Sequence, residues 1–212
     1  MEEPSRLAVL GAGHVGPVIA RLAIKAGYPV AIATSGDPED IALITELIIP
    51  GAQPRWARDA VADADIVVLA IPLHRFGDID PALLGGKIVI DAMNAYSATG
   101  GIVDLGSSTS SEEVQKRLPG ARIVKAFNTI FWKHLAEQGR ADLPLPKRRA
   151  IFLAGDDVEA KRIVSRLIEE IGFAPVDTGT LREGGRSQQP GAPVYGRNLT
   201  QEEAVGILAA AH

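Results

Sequence analysis

The stretch that decides the fold of this chain is residues 7–16, Leu7-Ala8-Val9-Leu10-Gly11-Ala12-Gly13-His14-Val15-Gly16. An apolar run of strand length leads into a G-x-G-x-x-G turn. In such a turn Gly11 allows the tight reversal, Gly13 lets the backbone approach a pyrophosphate, and Gly16 lets a helix pack closely on the strand. N–H groups at the start of that helix can bind phosphate oxygens. The stretch therefore predicts the phosphate-binding loop of a dinucleotide site.

The residues after this loop continue the same unit. Pro17 is tolerated in the first turn of a helix, and apolar residues recur at helical spacing until Gly27. A short apolar run, residues 29–33, then predicts a second strand and completes a βαβ unit. The alternative is a glycine-rich turn that binds no ligand. His14 fills a variable position of the motif, and we assign it no catalytic role.

The end of the second predicted strand indicates which dinucleotide binds. A carboxylate there would accept hydrogen bonds from the adenine ribose and repel a 2′-phosphate. This chain has Thr34 and Ser35 instead, whose hydroxyls and N–H groups can receive a phosphate, so NADP(H) is favoured over NAD. Asp37 lies nearby, and it either caps a helix that opens at Pro38 or binds ribose; we favour the cap.

Composition excludes several other classes of function. The chain has 212 residues, 46% of them hydrophobic, a net charge of −4 and no cysteine. No basic field favours nucleic acid or an anionic membrane, and disulfides and cysteine metal sites are excluded. Residues 1–6 lack the apolar segment of a signal peptide, and no apolar run reaches membrane-spanning length. We expect a cytoplasmic protein with no metal, no nucleic-acid partner and no membrane partner.

The remaining strands and helices alternate along the chain, which predicts an α/β fold with a doubly wound, mostly parallel sheet. We assign residues 1–181 to this domain and residues 182–212 to a Gly/Pro-rich tail with a short helix, the two forming one compact unit. Residues 182–196 are predicted to form no regular element; we favour a segment that folds over the crevice edge or across a dimer partner, and the alternative is plain disorder. Further strands are predicted at 65–71, 86–91, 121–126 and 150–155, with a capping box at Ser110-Ser111-Glu112-Glu113 and helix starts at Asp156-Asp157 and Thr200.

Polar residues follow several of these strands, where open α/β sheets bind ligands. The strand ends are residues 71–74, which include Pro72 and Leu73, then residues 92–96 and residues 127–129. Asn94 and Asn128 could bind ribose hydroxyls or a nicotinamide carboxamide, or could simply cap loops. His74 and His134 are candidate acid–base residues, although for both we favour an ordinary histidine.

Taken together, the motifs resemble a known family. GAGHVG, AIP, DAMNAY, VKAFNT, AGDDVEAK and VDTGTL are similar in order and spacing to the NADPH-dependent deazaflavin (coenzyme F-420) reductases, over residues 6 to about 181. Related dinucleotide domains form the cytoplasmic part of membrane ferric reductases, which pass hydride to a flavin. The resemblance implies a Rossmann fold, NADP(H) as cofactor, direct hydride transfer to a flavin-like ring, and a homodimer.

The resemblance also implies roles for individual positions. Residues Ala12, Gly13, His14 and Val15 match the pyrophosphate loop, and Ile71 and His74 match positions near the nicotinamide half. Ala126, Phe127 and Asn128 match the segment over which the second cofactor lies. Thr34 and Ser35 stand where the family commonly has Ser-Arg, so that one arginine is missing here. Beyond residue 181 the tail departs from the apolar helical ending of the family.

Length separates this chain from one competing class. The β-hydroxyacid dehydrogenases share the glycine loop but add a large helical domain with a catalytic lysine, and the 86 residues after Ala126 leave no room for it. Hydride transfer between two cofactors needs few side chains, so the lack of an assignable catalytic residue fits. We predict an oxidoreductase that transfers hydride between NADP(H) and an 8-hydroxy-5-deazaflavin or a flavin. The alternative is a non-catalytic protein that senses the redox state of NADP(H).

Overall fold

The computed structural model describes residues 5–210, with the side chain of residue 210 left out. The prediction that residues 1–6 lack a signal-peptide segment concerns mainly residues 1–4, which lie outside the described residues. The strands are β1 (Leu7–Leu10), β2 (Val30–Ala33), β3 (Gln53–Pro54), β4 (Ile66–Leu69), β5 (Ile88–Asp91), β6 (Arg122–Ala126), β7 (Ala150–Gly155) and β8 (Ala174–Asp177). The α-helices are α1 (Val15–Lys25), α2 (Glu39–Ile48), α3 (Ala57–Ala62), α4 (Ser110–Arg117), α5 (Trp132–Glu137), α6 (Val158–Glu170), α7 (Glu183–Ser187) and α8 (Gln201–Ala210). Short 3-10 turns cover Leu73–Asp78, Pro81–Leu84 and Leu145–Lys147.

The strands form one sheet in the order β3-β2-β1-β4-β5-β6-β7-β8. Neighbouring strands are parallel except for β6 and β7, which are antiparallel. The strand order reverses between β1 and β4, and open sheets of this kind bind ligands at such a switch point. Leu10 pairs with Ala33 and with Leu69, so β1, β2 and β4 end level with one another. The predicted doubly wound, mostly parallel sheet is confirmed.

Two apolar layers cover the faces of this sheet. On β1, Leu7 and Val9 belong to the layer that includes α1 and α6, whereas Ala8 and Leu10 belong to the layer that includes α3 and α4. This alternation follows from the two-residue period of a strand. Burying one large aliphatic side chain stabilises the folded state by roughly 1.5–3 kcal/mol. The two layers therefore hold the sheet in place, together with the edge on which the site is built.

Two local predictions were wrong. The cap of α4 is Thr109 rather than Ser110: its hydroxyl accepts from the Glu112 N–H at 3.1 Å, and Glu112 accepts from the Thr109 N–H at 2.7 Å. The stretch 182–196 contains the five-residue helix α7, in which Gly184 and Gly185 are buried. The cap of α8 at Thr200 and Glu203 is confirmed.

Candidate functional site

The three glycines of the loop between β1 and α1 have different environments. Gly11 has a φ of +119°, and a Cβ on it would lie 2.3 Å from the carbonyl oxygen of Ala70. A Cβ on Gly16 would lie 2.1 Å from the Gly11 carbonyl oxygen. A Cβ on Gly13 would meet nothing within 4 Å. The fold itself therefore requires Gly11 and Gly16, whereas Gly13 leaves open space in front of the backbone.

The start of α1 is also open. Its N-cap, His14, makes no side-chain hydrogen bond to the helix, and the first turn holds no acidic residue. The His14 ring instead contacts the edge of Trp132, with ring centroids 5.0 Å apart. N–H groups and the positive end of the helix dipole thus face the space beside Gly13, which suits an anion.

A cavity of about 820 Å³ opens at the ends of β1, β2 and β4, within the size range of small-molecule sites. It brings together eight of the residues singled out from the sequence, which are Gly11, Ala12, Gly13, Thr34, Ser35, Ile71, Pro72 and His74. His14, Val15, Gly16 and Leu73 are outside its lining; Leu73 packs against the apolar layer of α3 and α4.

Sequence reasoning missed the opposite wall of this cavity. That wall is formed by apolar side chains of α2, of α3 and of the turns after β4, namely Ile41, Ile44, Ala57, Val61, Ile79 and Leu83. Ile44 is 53% exposed, so without knowledge of the cavity it would be taken for an ordinary surface residue. A signal existed in α2, where five of the ten residues are isoleucine or leucine. An apolar slot of this kind can hold a flat ring.

Asn94 and Asn128 lie outside the cavity and contact each other at the ends of β5 and β6. The Asn94 Nδ2 donates to the Asn128 backbone oxygen at 3.2 Å, and the Asn128 Nδ2 donates to the Asn94 Oδ1 at 3.3 Å. The Asn128 Nδ2 also donates to the Gln188 backbone oxygen at 2.8 Å, which fixes the orientation of the amide because a carbonyl can only accept. The Asn128 Oδ1 is buried and has no hydrogen-bond partner among the described residues.

The two residues before Asn128 contribute backbone rather than side chain. Ala126 and Phe127 are fully buried. Phe127 has a φ of +66°, a left-handed conformation that is uncommon for a bulky residue and costs of order 1–3 kcal/mol. This kink turns the chain at the end of β6 and presents Asn128 toward Asn94 and the tail.

The C-terminal tail lies against this same edge of the sheet. The buried Gln188 donates through Nε2 to the Thr178 hydroxyl at 2.9 Å, and Gln189 accepts from the Ser110 N–H at 3.3 Å. The hydroxyls of Tyr195 and Tyr96 lie 3.3 Å apart. Burial first, and then the bond to Tyr96, raise the pKa of Tyr195. The segment is therefore held in place through contacts on four separate parts of the fold.

A buried ion pair supports the loop that carries Asn94. The Lys125 ammonium lies 3.1 Å from the Asp91 Oδ2, and these side chains are 1% and 0% exposed. Asp91 also accepts from the Ser111 hydroxyl at 2.7 Å and from the Met93 N–H at 3.0 Å. Lys125 donates in addition to the Met93 backbone oxygen. Every partner converges on residues 91–93, so this network fixes the path of the chain into Asn94.

The described residues hold no group of three or more His, Asp or Glu side chains that could bind a metal ion. Across residues 5–210, none of the helices is long and apolar enough to cross a membrane. His134 lies in α5, where its ring contacts the edge of Phe131, with centroids 5.7 Å apart. His74 is thus the one of the two candidate histidines that lies on the cavity.

Comparison with known proteins supplies the family. A family model described as "NADP oxidoreductase coenzyme F420-dependent" matches residues 6–95, the part that contains the glycine loop and all residues that line the cavity. Residues 6–95 of the chain are thus similar to this family of NADP oxidoreductases. The resemblance seen in the sequence is thereby confirmed, and the match supports an NADP-dependent oxidoreductase that binds NADP(H).

Solved structures share the fold. The hypothetical protein SMa0349 from Sinorhizobium meliloti is 37% identical with a TM-score of 0.83, over 92% of this chain and 95% of that chain. A protein from Arthrobacter sp. FB24, provisionally assigned as an F420-dependent NADP-reductase, is 24% identical with a TM-score of 0.73, over 86% of this chain and 89% of that chain. At that level of identity, the second likeness shows the fold alone.

The chain is also similar to parts of larger proteins. Metalloreductase STEAP3 of Rattus norvegicus is 26% identical over 184 residues, which is 85% of this chain and 35% of the relative. Metalloreductase STEAP2 of Mus musculus is 26% identical over 82% of this chain and 33% of the relative. The chain thus spans about a third of the length of these relatives.

Proposed function

We propose that this protein transfers a hydride between NADP(H) and a planar ring acceptor. The acceptor proposed first is a deazaflavin such as the 8-hydroxy-5-deazaflavin coenzyme, and the second is a flavin. The observation that carries the proposal is the open space in front of Gly13, beside a cavity of about 820 Å³ at the switch point of the sheet. A glycine that its own fold does not require, next to an uncapped helix start, fits a ligand pyrophosphate.

The residues that would bind successive parts of the cofactor follow one another along the edge of the sheet. The N–H groups of residues 11–16 would bind the pyrophosphate, and Thr34 and Ser35 would face the adenosine end. Ile71, Pro72, Leu73 and His74 would border the nicotinamide half, with the apolar members excluding water. Asn94, Ala126, Phe127 and Asn128 would border the second ring, where the unpaired Asn128 Oδ1 can accept a hydrogen bond from a ring or carboxamide N–H.

The chemistry of the step requires little from side chains. The nicotinamide, when bound, supplies or receives the hydride, and the protein supplies position and the exclusion of water. The Lys125–Asp91 pair holds residues 91–93, and the Gln188 backbone holds the Asn128 amide, so the groups at the second ring are fixed before any ligand arrives.

Steady-state oxidation of NADPH with a panel of ring acceptors tests this proposal. We expect turnover with a deazaflavin, with a flavin or with both. If NADPH binds but no acceptor in the panel supports its oxidation, the hydride-transfer proposal is wrong and a redox-sensing role takes its place.

We expect NADPH to bind at least about tenfold more tightly than NADH, a difference of about 1.4 kcal/mol. Thr34→Asp should shift this preference toward NADH, because the carboxylate accepts from the ribose hydroxyls and repels a 2′-phosphate. Calorimetry on both proteins measures the four dissociation constants. Equal or reversed constants for the unaltered protein would contradict the preference.

The tail is proposed to order the second-ring site. A Cβ on Gly184 would lie 2.5 Å from the Thr178 hydroxyl and 2.6 Å from its carbonyl oxygen, so Gly184→Ala must displace α7 and the Gln188 carbonyl with it. Because small misplacements cost catalysis heavily, we expect turnover to fall by about tenfold or more while NADPH affinity changes less than about twofold. Gly206→Ala, which meets nothing within 4 Å in α8, is the matched control. Equal turnover in the two variants would show that the tail has no such role.

We also propose that the protein is a cytoplasmic homodimer, as the family resemblance implies. Light scattering on the purified chain tests the oligomeric state, and a mass of one chain across the working concentration range would refute the dimer.

A further inference from the structure

The charged side chains on the cavity do not favour a phosphate. Asp40, Asp78 and Asp80 all line it, and Arg75 is the only lysine or arginine among its described lining residues. A 2′-phosphate carries close to two negative charges at neutral pH, so it would be repelled by these carboxylates unless a cation faced it. The arginine that the family commonly places at the end of β2 is absent here, where Ser35 stands in its position after Thr34.

We propose that Arg75 supplies the missing guanidinium and binds the 2′-phosphate of NADP(H) from the part of the cavity lining that follows β4. This rests on the proposed function, in which NADP(H) occupies the cavity. Arg75 follows β4 on the 3-10 turn Leu73–Asp78, whereas Thr34 and Ser35 follow β2, and the cavity lies between them. A guanidinium binds phosphate through two parallel hydrogen bonds, which makes one arginine enough to select for the phosphate.

The present partner of Arg75 leaves it free to move to a phosphate. Its Nε donates to the Asp78 Oδ2 at 2.6 Å, and the two side chains are 54% and 61% exposed. An exposed pair of this kind stabilises the fold very little, so Arg75 loses little when it leaves Asp78 for a phosphate. The backbone beneath Arg75 stays fixed, because the neighbouring Phe76 is 6% exposed and packs in the apolar layer of α3 and α4.

Calorimetry with NADPH and NADH on Arg75→Met tests the inference. We expect NADPH affinity to fall by about tenfold or more, because a charge-assisted contact to the phosphate is lost, while NADH affinity changes less than about twofold. Arg75→Lys should recover part of the loss. Asp78→Asn should tighten NADPH binding, because it removes both the competing partner and a like charge. Arg58→Met, an exposed arginine on α3 outside the cavity lining, is the control and should change neither constant.

The outcomes separate this inference from the proposed function. If the unaltered protein prefers NADPH and Arg75→Met keeps that preference, the role of Arg75 is wrong while NADP(H) binding stands. If Arg75→Met weakens NADPH and NADH equally, Arg75 only stabilises its turn, and the inference is again wrong. If the unaltered protein shows no preference, both the NADP(H) preference and the role of Arg75 fail.

Discussion

Replacing Lys125 by methionine is expected to lower the free energy of unfolding by about 3–5 kcal/mol. The substitution leaves the Asp91 carboxylate, which is 0% exposed, without its ammonium partner in the centre of the sheet. The hydroxyl of Ser111 and the N–H of Met93 still donate to it, but neither carries a charge. Urea denaturation followed by circular dichroism measures the change.

Two further variants make this result specific. Lys116→Met removes an exposed ammonium that is paired with Glu113, and it should change stability by about 1 kcal/mol or less. Asp91→Asn combined with Lys125→Met should be more stable than Lys125→Met alone, because no buried charge remains unpaired. If Lys125→Met unfolds at the same urea concentration as the unaltered protein, the buried pair does not support the edge of the sheet.

Gly13→Val is expected to weaken NADPH binding by at least about 100-fold, roughly 2.7 kcal/mol, in a protein that remains folded. A branched side chain there occupies the open space that the pyrophosphate would need. The fold should tolerate it, because a Cβ on Gly13 meets nothing within 4 Å and its φ is not left-handed. Calorimetry and thermal unfolding measure affinity and stability on the same samples.

Two other glycines serve as references for this result. Gly85→Val lies before β5, where the nearest atom would be 3.9 Å from its Cβ, and should leave affinity unchanged. Gly16→Ala should instead impair folding, since its Cβ would lie 2.1 Å from the Gly11 carbonyl oxygen. Unchanged NADPH affinity in folded Gly13→Val would mean that the loop is only a turn.

The parts of the fold that follow from local pattern were predictable from the sequence. Buried parallel strands are nearly continuous apolar runs, so β1, β4 and β7 can be recognised in the sequence as strands. The α4 cap was placed one residue late because Thr109-x-x-Glu112 and Ser110-x-x-Glu113 both fit a capping box. Glu113 pairs with Lys116 instead, at 2.6 Å.

Features that depend on distant contacts could not be predicted in this way. Helix α7 contains two glycines and has little helical tendency of its own; it forms where Gly184 and Gly185 approach Thr178 and Thr109. The Asn128 amide is oriented by a carbonyl 60 residues further along the chain. Arg75 faces the same cavity as Thr34 only because β4 and β2 flank β1.

Transfer of deuterium from NADPH labelled at C4 of the nicotinamide tests the central claim most directly. A deazaflavin keeps a transferred hydride on a carbon that does not exchange with water, so mass spectrometry of the reduced ring can detect the label. We predict that one of the two stereospecifically labelled forms, 4R or 4S, places its deuterium on the ring and the other does not. Oxidation of both forms by the deazaflavin without label in the reduced ring would contradict direct transfer, and so would binding of NADPH with no oxidation at all.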